Sequence, residues 1–178
     1  SFDQKPYRKL MMQSFGAKCN SSPSSLTDFG KKLLEENPDN PGSLGIAISD
    51  AIESVVKSEG KAKYSLGSVL GHVLMHQTIN GNEAILQMEQ AGDYPDIIVG
   101  CTGGGSNLSG LMFPFLGQQL RGGKKIDIIG CEPLSCPSFT KGKYAYDHGD
   151  MAKMTPLIKM HTLGSGFLPP ANHSGGLR

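Results

Sequence analysis

The stretch that most constrains the fold is an apolar run that ends in three glycines and leads into a helical pattern. Residues 97–99 (Ile-Ile-Val) are β-branched and typical of a buried strand. After the glycines, apolar residues recur at helical spacing and predict a helix with one buried face: Leu108, Leu111, Met112, Phe115 and Leu116. A strand, a glycine loop and a helix start bring free backbone N–H groups and the positive helix end to one point. The stretch therefore predicts an anion site, most naturally for a phosphate.

Two common nucleotide-binding patterns do not fit this loop. A Walker loop carries Lys-Ser or Lys-Thr after its last glycine, whereas this chain has Ser106 and Asn107. The dinucleotide pattern GxGxxG requires a glycine where this chain has Leu108. The loop is thus suited to a phosphate but lacks the lysine that would reach the outer phosphates of a nucleotide. A tight turn without a ligand is the alternative interpretation.

The predicted elements around the loop mix helices with strands. Helices are predicted at 5–15, 27–36, 43–59 and 69–90, the last with a kink or break at Gly81, and strands at 17–20, 63–66, 97–101 and 124–131. A strand, a helix and a strand in succession indicate a βαβ unit with parallel strands. Residues from Pro133 onward show little periodicity, so we predict loops over the active face, with Glu132 at a strand end near the ligand.

Composition and charge exclude several classes of protein. The net charge of +1 without a basic block argues against nucleic acid as a partner. We find no apolar run approaching the roughly 18 residues of a membrane span and no signal peptide. The four cysteines form no CxxC pair, which favours free thiols in a reducing, cytoplasmic compartment and no metal site. Both ends look cut, so we interpret the chain as an interior piece of a larger protein.

The histidines do not indicate any chemistry by themselves. His72 and His76 have the spacing of two ligands on a helix face, but their apolar neighbours favour packed rings. His148, His161 and His173 are isolated, and no Ser-His-Asp arrangement follows from the spacing. The residues alone therefore predict an α/β protein with a phosphate-binding loop.

A family resemblance adds a reaction. Residues 100–107 (GCTGGGSN) resemble the phosphate loop of the tryptophan synthase beta chain, a pyridoxal-phosphate enzyme of fold type II. Further segments resemble its second, longer type: 4–8, 10–12, 41–49, 63–70, 76–78, 155–160, 162–164, 169–170 and 175–177. The resemblance implies part of a three-layer α/β fold, a parallel sheet flanked by helices. It also implies that 1–65 belong to a mobile closing subdomain and 66–178 to a cofactor-binding domain incomplete at its C-terminus.

The implied reaction is the last step of tryptophan biosynthesis, in which L-serine and indole give L-tryptophan and water. In the family a lysine forms a Schiff base with pyridoxal phosphate, whose ring is the electron sink. The resemblance implies cofactor-binding roles for Gly103, Gly104, Gly105, Ser106 and Asn107 at the phosphate, Cys101 near the ring and Ser68 close by, and substrate-side positions for Gly175 and Gly176.

This chain departs from the family pattern in what it lacks. The family's Schiff-base lysine follows Ser-His, and no lysine here does; the Ala-Gly-Gln neighbourhood of its carboxylate is also absent. We therefore expect no catalytic residue in this chain and no activity from it alone. A homodimer is expected from the family, and the sequence leaves an alpha-chain partner open. Alternatives are a serine or threonine deaminase or cysteine synthase-like enzyme, a non-catalytic nucleotide-binding module that uses Glu132 on a ribose, and a bare structural fragment.

Overall fold

The computed structural model describes residues 2–3 and 5–170. Within these residues the chain forms both helices and strands, so the predicted α/β character is confirmed. The helices are α1 (Pro6–Ser14), α2 (Asp28–Glu36), α3 (Leu44–Lys57), α4 (Gly71–His76), α5 (Thr78–Ala91) and α6 (Ser106–Leu120). The strands are β1 (Ile97–Cys101), β2 (Asp127–Cys131), β3 (Lys143–His148) and β4 (Leu157–Thr162). No helix in this part of the chain combines the length and apolar character needed to cross a bilayer.

The chain divides into two compact units. One unit is Ser65–Glu132, and the other combines Ser1–Tyr64 with Pro133–Arg178. We call them the loop unit and the flanking unit. The predicted closing subdomain (1–65) and cofactor-binding domain (66–178) are defined by their roles. The compact units do not test those roles, so this division stays a prediction.

The loop unit is built on the predicted βαβ motif. β1 and β2 pair in parallel, with Ile97 opposite Asp127 and Cys101 opposite Cys131, and α6 connects them. α6 and α5 pack through a small apolar core: Ile85, Ile98, Phe115 and Ile126. Among the described residues this parallel sheet has two strands, so the three-layer arrangement is not confirmed.

Glycines and a proline let α5 and α6 cross closely. A Cβ on Gly81 would lie 2.3 Å from the Leu111 carbonyl oxygen and 2.8 Å from Pro114 Cδ. Pro114 has no N–H to bond the carbonyl of Gly110, and Gly81 packs against that carbonyl. Of the predicted kink or break at Gly81, the break is wrong, because α5 continues through this glycine, which serves a close crossing. The break lies at Gln77, between α4 and α5.

In the flanking unit, side chains supply acceptors at helix starts. The predicted N-cap Ser43 is confirmed: its Oγ accepts from the Ile46 N–H, 3.2 Å away. At the start of α2 the Thr27 Oγ1 accepts from the Gly30 N–H at 3.0 Å. Glu53, on α3, accepts with its carboxylate from the N–H groups of the two residues before Gly30, Asp28 at 2.7 Å and Phe29 at 3.0 Å.

Two buried carboxylates on and beside α3 bind loops of the same unit. Asp50 accepts from the hydroxyls of Ser22 and Thr27 and from the Ser24 N–H. Asp150 is fully buried and accepts hydrogen bonds from Ser49, Met154 and Thr155.

The titration of Asp150 and its neighbour follows from this burial. Burial alone would raise the pKa of Asp150, but its hydrogen bonds outweigh burial and lower that pKa. Burial and the nearby Asp150 charge raise the pKa of the Tyr64 phenol. Asp150 is therefore held as a carboxylate that orders the loop around it.

The chain after Pro133 corrects one prediction. In place of loops alone, β3 and β4 form an antiparallel hairpin, with Tyr144 opposite His161 and Tyr146 opposite Lys159. The alternating run from Lys143 to Tyr146 carried this signal, but two tyrosines and a lysine face solvent and hid it from a search for apolar runs. The strands predicted at 17–20 and 63–66 are wrong, because neither segment is a strand and no described strand pairs with either of them.

Candidate functional site

The glycine loop connects β1 to α6, and two strand glycines let the helix start lie close to the sheet. Gly100 and Gly130 are opposite each other on β1 and β2. A Cβ on Gly100 would lie 2.6 Å from Leu108 Cδ1, and one on Gly130 would lie 3.1 Å from Leu108 Cδ2. In dinucleotide folds the third glycine of the pattern provides this closeness on the helix. Here the strands provide it, so the helix position carries leucine.

The loop delivers the start of α6 without a side-chain cap. Gly105 is the N-cap residue, with φ 95° and ψ −13°, a left-handed conformation that glycine adopts without strain. Its carbonyl accepts from the Ser109 N–H at 2.9 Å, so the first helical hydrogen bond is made. Among the described residues, no side chain accepts from the first N–H groups at this helix start. These donors and the positive helix end therefore face the loop.

Thr102 is a loop residue that the sequence analysis did not single out. Its N–H donates to the Cys131 carbonyl at 2.7 Å, which extends the β1–β2 pairing by one residue. Its Oγ1 lies 2.8 Å from where a Cβ on Gly130 would be. This buried hydroxyl has no hydrogen-bond partner in the described part of the chain. The alternation of buried and exposed residues along β1 could have identified Thr102 from the sequence, because it places this residue on the same face as the buried Ile98 and Gly100.

The residues expected to bind the cofactor lie around this loop. Ser106 is the first residue of α6 and only 9% exposed, whereas Asn107 beside it is exposed. Cys101 ends β1 and is exposed. Val69 packs on the loop, since a Cβ on Gly104 would lie 2.4 Å from Val69 Cγ1. Ser68 is exposed in the turn directly before Val69, so the structure brings its turn to the loop.

The remaining expectations concern the substrate-side glycines and Glu132. Gly175 and Gly176, the substrate-side positions, fall outside the described residues. Glu132 is half-buried directly after β2.

The two helical histidines correct another prediction. His72 and His76 are exposed on α4, so the packed rings predicted from their apolar neighbours are wrong. Their ring centroids lie 6.3 Å apart in an edge-to-face arrangement. α4 is a short helix whose solvent side carries these rings, and its six-residue length gives the apolar neighbours little surface to bury. Within residues 2–3 and 5–170, no group of three or more His, Cys, Asp or Glu side chains could hold a metal ion.

The chemistry that this arrangement can perform is binding and orientation. Residues 102–107 (Thr-Gly-Gly-Gly-Ser-Asn) contain no acid, base or thiol that could transfer a proton or attack a substrate. They offer backbone N–H groups, hydroxyls and one amide, all uncharged, at the positive end of a helix. A tetrahedral dianion such as a phosphate monoester fits this donor set, because it needs several donors and gains from the helix field.

Comparison with known proteins gives a consistent result. The chain is 56% identical to the tryptophan synthase beta chain 2 of Aeropyrum pernix and 57% identical to that of Thermotoga maritima, each over 178 residues. The protein of the same name from Pyrococcus furiosus is 56% identical. Each match covers 100% of this chain but only 40–42% of the relative. No family model matches the chain. On these matches, the 178 residues belong to the tryptophan synthase beta chain family.

Proposed function

We propose that this chain is the phosphate-binding part of a pyridoxal-phosphate-dependent lyase that joins L-serine and indole into L-tryptophan and water. The name that the relatives share supports the reaction, and identity over the whole chain supports its transfer. The chain spans about two fifths of the length of these relatives. The observation that carries the proposal is the start of α6, which has backbone donors and, within residues 2–3 and 5–170, no side-chain acceptor.

The residues around the loop fit the cofactor's phosphate. Gly103, Gly104 and Gly105 place backbone N–H groups without side chains in front of them, and the contact of Gly104 with Val69 shows how little space a side chain would have. The buried Ser106 and the exposed Asn107 add a hydroxyl and an amide. When bound, pyridoxal phosphate supplies an electron sink for the α-carbon of an amino acid. The loop anchors that group at one end.

The other assigned residues have supporting roles. Cys101, one residue before Thr102, lies beside the cofactor ring, and Ser68 contributes from the turn that packs on the loop. Gly175 and Gly176 lie at the substrate side. No residue of this chain is catalytic, since the lysine that bonds the cofactor and the carboxylate that assists loss of the serine hydroxyl lie in other parts of the enzyme. This chain therefore binds and orients.

The wider setting is also part of the proposal. In the whole enzyme, β1 and β2 belong to a three-layer parallel sheet of fold type II, residues 1–65 to a closing subdomain and residues 66–178 to the cofactor domain. The exposed apolar side chains of β1, Ile97 and Val99, support further packing on that face. The enzyme works in the cytoplasm as a homodimer on small-molecule substrates.

Binding by the 178-residue chain tests the anchor. We expect pyridoxal phosphate and its aldehyde-free analogue 4-deoxypyridoxine 5′-phosphate to bind in equilibrium dialysis with similar, weak affinity, and inorganic phosphate to compete. We expect no stable absorbance band near roughly 410–420 nm, the mark of a lysine-bound cofactor. A strong band would contradict the absence of the catalytic lysine. Tight NAD binding without affinity for either pyridoxal compound would support the nucleotide-binding alternative.

The reaction is tested on a longer protein that contains this chain. We expect tryptophan to form from L-serine and indole in the presence of pyridoxal phosphate. Deamination of serine without incorporation of indole would support the deaminase alternative and contradict the proposed specificity.

A further inference from the structure

Two cysteines lie opposite each other at the ends of the parallel strands. Cys101 ends β1, Cys131 ends β2, and the two are register partners. Neighbouring strands lie about 4.7–4.9 Å apart. Disulfide bonds join residues whose Cα atoms are about 4.4–6.8 Å apart. Register partners also project to the same face of a sheet, so this pair meets the first geometric requirement for a disulfide bond.

Both thiols are on the face of the sheet that α6 does not cover. Leu108 of α6 packs over Gly100 and Gly130 on the opposite face. The neighbouring pair on the thiol face, Val99 and Ile129, is 58% and 47% exposed. Cys101 and Cys131 are themselves exposed and free. In the 178-residue chain, a small reagent can therefore reach either sulfur.

The other two cysteines are placed differently. Cys136 is buried, and Cys19 is half-buried with its Sγ 3.6 Å from Met12 Sδ. Neither is a register partner of another cysteine. A two-electron oxidation that joins thiols within the chain is thus directed to one pair.

We propose that Cys101 and Cys131 are a site of reversible disulfide formation with a small-molecule disulfide as the oxidant. The thiolate of one cysteine attacks the oxidant, forms a mixed disulfide and releases one thiol. The thiolate of the second cysteine then attacks the protein sulfur of the mixed disulfide and releases the second thiol. The protein loses two protons and two electrons, and the oxidant is reduced to two thiols.

The bond forms at the base of the glycine loop. Cys101 directly precedes Thr102, whose N–H is bonded to the Cys131 carbonyl at 2.7 Å. The strand spacing is shorter than the common Cα separation of about 5.5–6 Å in disulfides, so we expect the bond to be easily reduced. The bond therefore forms or breaks according to the ratio of thiol to disulfide in the surrounding solution, and it does so at the residues that lead into the loop.

Thiol mapping tests this site. The reduced 178-residue chain is incubated with glutathione disulfide, the remaining thiols are alkylated, and the peptides are analysed by mass spectrometry. We expect two of the four thiols to disappear, a linked peptide that contains Cys101 and Cys131, and full reversal by dithiothreitol. Four alkylated thiols, a link to Cys19 or Cys136, or a link between separate chains would overturn the proposal.

Matched variants show whether both positions are required. Cys131→Ser should abolish the linked peptide and leave Cys101 as a glutathione adduct, and Cys131→Ala repeats this test if the serine variant folds poorly. Cys136→Ser should form the link at the wild-type rate. A linked Cys101 in either Cys131 variant would overturn the proposal.

The same oxidation experiment with added ligand distinguishes failure of the disulfide proposal from failure of the proposed function. If Cys101 lies beside the cofactor ring, 4-deoxypyridoxine 5′-phosphate should slow formation of the bond at least threefold, whereas inorganic phosphate should not. Equal rates with and without the analogue, together with a normal Cys101–Cys131 link, would support the disulfide site and contradict the position of Cys101 beside the ring.

Discussion

Two helix starts in this molecule solve the same problem in opposite ways. At α2, the side chains of Thr27 and Glu53 accept from three consecutive backbone N–H groups, those of residues 28–30. At α6, Gly105 provides the turn, and no side chain in the described part of the chain accepts from the first N–H groups. A helix start needs acceptors for its free N–H groups. α2 obtains them from its own unit, and α6 leaves its donors available to an anion.

Glu53 should show the largest effect, because its carboxylate serves two backbone donors and an ion pair at once. Its oxygens accept from Asp28 and Phe29, and Lys57 Nζ lies 2.6 Å from it. We expect Glu53→Gln to lower the free energy of unfolding by about 2 kcal/mol at neutral pH, measured in urea. Glu35→Gln, at an exposed position on α2, is the control and should change it little. Equal losses in both variants would show that the contacts to α2 do not matter.

The same carboxylate gives α2 a pH dependence that the start of α6 lacks. Burial would raise the pKa of Glu53, but hydrogen bonds from Lys57 and the two backbone groups outweigh burial and lower the pKa to about 2. A lowered pKa stabilises the fold above the unfolded value of 4.5 and loses that contribution as the pH falls toward 2. The protection factors of the α2 amides against hydrogen exchange should therefore fall over this range in the wild type, and less so in Glu53→Gln.

Gly105 tests the other side of the comparison. Gly105→Ala places a side chain at φ 95° and should lower the free energy of unfolding by about 1–2 kcal/mol. Gly122→Ala is the matched control, since Gly122 has φ 92° and open space around it. Both variants should lose similar stability, but only Gly105→Ala should weaken binding of 4-deoxypyridoxine 5′-phosphate in equilibrium dialysis. Equal affinities in the two variants would place the anion elsewhere.

Asn107→Asp gives α6 an acidic first turn like that of α2. The new charge should stabilise the helix start by about 0.3–1 kcal/mol and raise the melting temperature slightly. It should also repel a bound phosphate and reduce affinity about tenfold, or about 1.4 kcal/mol. Asp28→Asn is the mirror change at the start of α2 and should lower stability without affecting affinity. An unchanged affinity in Asn107→Asp would argue against a phosphate at this end of α6.

Ser43 should give the smallest effect, because it satisfies one donor at the start of α3. Removal of its Oγ in Ser43→Ala leaves the Ile46 N–H without this acceptor and should lower the free energy of unfolding by about 1 kcal/mol or less. Ser43→Asp should restore most of this loss in the same urea experiment. No difference between the alanine and aspartate variants would mean that water replaces this cap.

Local signals in the sequence predicted much of this arrangement. Apolar spacing and cap residues located α2, α3 and α6, and the β-branched run with its glycines located β1 and the loop. Contacts between distant residues had no such signal. The role of Glu53 at α2 spans 25 residues, and the pairing of Cys101 with Cys131 depends on strand register. Solvent-facing tyrosines hid β3, because a strand in a two-stranded hairpin needs few apolar side chains.

Leu108 also limits how this part of the chain can change over evolution. Its two methyl groups fill the spaces left by Gly100 and Gly130, so the three positions share one fixed volume. Alanine at 100 requires a smaller residue at 108, and alanine at 130 meets Thr102 Oγ1 at 2.8 Å as well as Leu108 at 3.1 Å. A glycine at 108 would leave space that a larger residue at 100 could fill. Relatives should therefore vary at these positions in concert, and a single substitution copied from one of them should be poorly tolerated unless its partners are copied too.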